Sequence, residues 1–76
     1  MQISEFITVV KTQLNVKSVN ATQSFRDDLG ADSLDMVELV VNIEDMTGVD
    51  MPDELVEEDS VARFYGLVLK RLDGMA

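Results

Sequence analysis

The run Ser33-Leu34-Asp35-Met36-Val37-Glu38-Leu39-Val40-Val41-Asn42-Ile43-Glu44-Asp45-Met46-Thr47, closed by Gly48, carries the decision about fold. Its residues favour helix, and glycine most easily takes the left-handed turn that ends one. Wound from Ser33 at zero, Met36, Leu39, Val40, Ile43 and Met46 cover an arc from roughly 220° to 340°, enough for a core-facing stripe. Asp35, Glu38, Asn42 and Asp45 fill about 120° to 200° as a solvated acidic face. Leu34, Val37 and Val41 fall at about 40° to 100°, outside the core arc and beside Ser33 and Glu44. Each would contribute roughly 1.5–3 kcal/mol if fully buried, so leaving three beside an acidic ridge requires a reason. Either neighbouring helices cover both arcs, or the flank is a docking face with an apolar centre, an acidic rim and a hydroxyl at its N-terminal end.

Upstream, Ile3, Phe6, Ile7, Val10 and Leu14 recur at helical spacing and predict a first helix, with Ser4 as its cap and Asn15 as its end. The β-branched residues in Phe6–Val10 offer a strand instead, but they lack its alternation. Residues 15 to 32 read as a connection longer than the ~12–15 residues usual in a small domain. Val16, Val19, Phe25 and Leu29 pin it to the core, and Gly30 marks a turn that a side chain would obstruct. Downstream, Pro52 opens a short helical turn through Glu58. Ser60 caps a last helix with the stripe Val61, Phe64, Tyr65, Val68, Leu69 and Leu72, and Lys70 and Arg71 complement its C-terminal dipole. The sum is an all-α chain in one domain, residues 1–76: three sizeable helices, one short one and a long first loop.

Seventy-six residues leave no room for a second core or a large cavity. The chain has no Cys and no His, which removes disulfides, thiolate metal sites and the commonest general base. Six Lys and Arg face 15 Asp and Glu, a net charge of -9. Between Asp27 and Asp59 lie 13 of the 15 acids and no base. Such a one-signed field steers a cationic partner. It argues against nucleic acid and against an anionic membrane face. The expected partner is a basic protein surface. Nothing approaches the ~20 apolar residues of a membrane span, and Phe6–Val10 lacks the basic flank of a signal peptide. A folded, cytoplasmic protein is expected.

Ser33 stands at a loop-to-helix junction, where a serine most often serves as an N-cap. A nucleophilic role fails for want of a base, and no glycine lies two residues to either side, as a nucleophile elbow requires. Asp27 and Glu38 have the separation of an EF-hand's ends. Leu29 and Ala31 supply no side-chain oxygen between them, and Asp32 sits where the loop needs glycine. No catalytic residue and no dedicated metal site is expected, although the acidic window leaves loose binding of Mg²⁺ or Ca²⁺ open.

Asp28-Leu29-Gly30-Ala31-Asp32-Ser33-Leu34-Asp35, continuing through Val37-Glu38-Leu39-Val40 and then Met51-Pro52-Asp53-Glu54, resembles the acyl carrier protein family. The layout is similar across nearly the whole chain. The resemblance implies a small antiparallel four-helix bundle and a 4'-phosphopantetheine arm on Ser33. The arm would come from coenzyme A, as a phosphodiester installed by a Mg²⁺-dependent phosphopantetheinyl transferase. Its thiol would hold acyl groups as thioesters, so the chemistry would be the cofactor's and the chain no enzyme. Partners rich in Arg and Lys would read the second helix: Asp32, Asp35, Glu38, Glu44 and Asp45 as charge contacts, Leu34, Val37 and Val41 as the apolar centre. Those partners would be the transferase and the acyl-transferring and chain-elongating enzymes of fatty acid or related biosynthesis, served by a monomeric carrier.

Met36, Met46 and Thr47 depart from the family's usual residues, and both the first loop and Leu55–Asp59 look short. These departures touch helices that line the family's acyl pocket, and they suit a specialised carrier. The alternatives are a carrier of a polyketide, nonribosomal peptide or D-alanyl transfer pathway, or an acidic helical adaptor without a cofactor.

Overall fold

Phe6 and Val10, one helical turn apart, are both fully buried, and they place the first segment as helix rather than strand. In the computed structural model, which describes residues 1–74, α1 spans Ile3–Leu14, α2 Ser33–Thr47 and α3 Val61–Asp73, with a 3-10 turn at Asp53–Glu57 between the last two. The cap of α1 is Gln2 rather than Ser4, with the Gln2 N–H donating to Glu5 Oε1 at 3.0 Å. Asn15 ends the helix as expected, in the left-handed conformation with φ 54°.

The bounds of α2 match the sequence reading, and Gly48 ends it with φ 71°. Met36, Leu39, Val40 and Ile43 are buried against α1 and the 3-10 turn. Met46 departs from the expected core arc and is 53% exposed. It sits at the edge of that arc, on an open cleft whose α1 side is lined by Thr8, Val9, Thr12 and Gln13. The short fourth element is a single 3-10 turn ending at Glu57, preceded by Pro52 and anchored by buried Leu55. Ser60 Oγ caps α3 by accepting from the Arg63 N–H at 3.3 Å. Leu69 and Ile3, at the edges of their stripes, remain partly in water.

The first loop is stitched down where it crosses the start of α3. The Phe25 N–H donates to the Asp59 carbonyl at 2.8 Å and the Val61 N–H to the Gln23 carbonyl at 3.1 Å. Val19, Phe25 and Leu29 are buried as expected, and Val16 partly so. Phe64 joins the layers, with ring centroids 5.8 Å from Phe6 and 5.2 Å from Phe25, the latter edge-on. Gly30 turns the chain into α2 with φ 70°, and a β-carbon there would meet no neighbouring atom. Backbone conformation, not crowding, therefore demands glycine at this position. Among the described residues, no helix is long and apolar enough to cross a membrane.

Candidate functional site

The loop delivers Asp32, not Ser33, to the capping position of α2. Asp32 Oδ1 accepts from the Asp35 N–H at 2.8 Å, and Asp35 Oδ2 accepts from the Asp32 N–H at 3.0 Å. The two carboxylates form a reciprocal capping box. Ser33 is thereby the first residue of the helix and is exposed. Its hydroxyl makes no hydrogen bond among the described residues, which corrects the expectation of a serine cap. The result is a free hydroxyl on a rigid base at the positive end of a 15-residue helix.

Beyond Ser33, the apolar flank faces solvent. Leu34 is 64% exposed, Val37 43% and Val41 46%, so neighbouring elements do not cover the second arc. Asp32, Glu38 and Asp45 are exposed around it, while Asp35 and Glu44 are half-buried. Among the described residues the one ion pair is Arg63 with Glu58, at 3.9 Å, so the acids of α2 carry no internal counterion. The face combines an apolar centre with unneutralised negative charge, the complement of a basic surface with apolar contacts.

Two acids of the face also have partners that sequence reasoning missed. Glu44 Oε2 accepts from the Met51 N–H at 2.8 Å, tying α2 to the segment before the 3-10 turn. Glu38 Oε2 accepts from Gln13 Nε2 of α1 at 2.9 Å, and Gln13 Oε1 in turn accepts from Asn42 Nδ2. The signal available for Gln13 was its place beside the apolar stripe of α1, which does not specify what it meets.

A family model described as a phosphopantetheine attachment site matches residues 4–68. An acyl carrier protein from Helicobacter pylori (strain ATCC 700392 / 26695) is 50% identical over 52 residues, 66% of this chain and 67% of that one. The chain belongs to the acyl carrier protein family. The crystal structure of an acyl carrier protein from Thermotoga maritima shares its fold, with a TM-score of 0.77 at 23% identity over 97% of this chain and 89% of that one. As an acyl carrier protein the chain is a carrier rather than an enzyme, and its cofactor is phosphopantetheine. Carriage implies a transferase that loads the arm and enzymes that service it. The N-terminus of α2 fits such a group: an exposed hydroxyl free of capping duty, at a helix end whose dipole favours an anion.

Proposed function

We propose that Ser33 is the attachment point, and that this carrier presents acyl intermediates as thioesters to enzymes of fatty acid or a related, specialised biosynthesis. The observation that carries the reading is the free hydroxyl of Ser33, left unengaged because Asp32 caps α2. In loading, Ser33 Oγ attacks the coenzyme A phosphate that bears the pantetheine. A new O–P bond would form as the pyrophosphate P–O bond of coenzyme A breaks, 3',5'-ADP would leave, and the hydroxyl proton would pass to the transferase. The chain itself holds no histidine to take that proton. The arm's thiol supplies the thioester chemistry. This chain's own residues hold the attachment oxygen at a fixed helix end and address it to partners.

The address is the exposed face of α2. Leu34, Val37 and Val41 provide the apolar contact, and Asp32, Asp35, Glu38, Glu44 and Asp45 provide the field that draws in a basic surface. Mutual repulsion between molecules of net charge -9 favours a monomer, and the proposed place of action is the cytoplasm. Intact mass after incubation with coenzyme A, Mg²⁺ and a broad-specificity phosphopantetheinyl transferase tests the attachment point. One added arm, absent in Ser33→Ala, is expected; an arm still added to Ser33→Ala overturns Ser33. No addition under conditions that modify a control carrier overturns the reading as a whole.

A further inference from the structure

Met46 poses a problem that the face around Leu34 and Val41 does not solve. It lies near 220° on the α2 wheel, well away from that face at about 40° to 100°, yet it is 53% exposed. It forms one wall of an open cleft of about 520 Å³ between α1 and α2. On α1 the cleft is lined by Thr8, Val9, Thr12 and Gln13, and on α2 by Asn42 and Asp45 beside Met46. Several polar groups of the cleft are already engaged: Thr8 donates its hydroxyl to the Ser4 carbonyl at 2.9 Å, Asn42 donates to Gln13, and Gln13 donates to Glu38, outside the cleft, at 2.9 Å. Asp45 differs, since its carboxylate makes no hydrogen bond and no ion pair among the described residues. Among the described residues no cation lines the cleft; Lys11 stands roughly 200° further round α1 from Val9.

A site with an apolar floor and one unneutralised carboxylate at its rim fits a long aliphatic side chain that ends in a cation. We propose that the α1–α2 cleft is a second contact subsite for the carrier's partners. It takes a lysine or arginine of the partner, whose methylene stem lies on Val9 and Met46 while its head group pairs with Asp45. Methionine suits this role because its flexible thioether adapts to differently placed stems. Asp45 borders both the cleft and the acidic rim of the exposed face, so a basic surface seated on α2 reaches the cleft without reorienting. The inference rests on the docking role proposed for α2 and extends that surface onto α1.

The test uses the full chain as Ser33→Ala, ¹⁵N-labelled and titrated with a broad-specificity phosphopantetheinyl transferase and coenzyme A at low salt. Amide shifts are expected at Thr8, Thr12 and Gln13 as well as along α2. Thr12→Lys, which places a cation in the cleft from this chain itself, and Met46→Gln, which removes the apolar wall, are each expected to weaken binding roughly three- to tenfold. Both positions are exposed or line the open cleft, so helix content by circular dichroism should be unchanged. Shifts confined to residues 33–41, with both variants binding like the parent, would overturn the cleft while leaving the α2 face standing. No binding by the parent chain would take down the α2 docking role and the cleft together.

Discussion

Moving the cap of α2 from Ser33 to Asp32 changes what each side chain is free to do. The capping oxygen belongs to Asp32, so Asp32→Ala is expected to cost about 1 kcal/mol of stability. Ser33→Ala removes a hydroxyl with no internal partner and should stay within about 0.5 kcal/mol of the parent. Asp32→Asn keeps a capping oxygen while removing one charge from the acidic window, and it separates the cap from the charge. Urea denaturation of the three variants checks this; equal losses in Asp32→Ala and Ser33→Ala would mean that the two residues share the cap. The sequence marked this junction clearly through Gly30, Asp32 and Ser33. It left open which of the two side chains caps, because both types are favoured N-caps and the choice depends on a one-residue register set by the incoming loop.

Between elements, Asp59 fastens the first loop to the entry of α3. Ser24 Oγ donates to its carboxylate, and the Arg26 N–H donates to Asp59 Oδ1 at 2.9 Å. The Ser24 hydroxyl, then the Arg26 amide, hold the Asp59 carboxyl below the usual carboxylate range, against an opposing effect of burial. A depressed folded-state pKa means that folding favours the ionised form. That stabilisation is complete above the ordinary carboxylate range, about pH 4, and is lost as pH falls through the lower folded value. Acid also relieves repulsion among the other carboxylates, so absolute stability against pH does not isolate Asp59. The difference in melting temperature between the parent and Asp59→Asn does. The gap is expected to be open near about pH 7 and to close in acid; a gap independent of pH would show that the charge of Asp59 contributes nothing. Ser60 was legible as the cap of α3, whereas the role of Asp59 was not, because its partner lies 35 residues away.

Across the whole molecule, 13 of 15 acids fall in one stretch without a base, inside a body of 33 × 22 × 19 Å. Acids as close in sequence as Asp32 and Asp35, or Glu57, Glu58 and Asp59, repel one another within a Debye length of about 10 Å at 0.1 M salt. Added salt or Mg²⁺ is therefore expected to raise the melting temperature; a flat or falling response in calorimetry would mean that repulsion does not limit stability. Periodicity and charge alone defined the helices, their stops at Asn15 and Gly48, the segregated acids, and the position of Leu34, Val37 and Val41 outside the core arc. These are properties of a single helix or of composition, fixed by 3.6 residues per turn whatever the helix packs against. Packing alone decided that Met46 stays in water, that Glu44 reaches the Met51 amide, and that Gln13 bridges to Glu38 and Asn42. Those outcomes depend on how far α1 slides along α2 and how the loops close, and a local pattern carries no information about contacts made 25 or 29 residues away.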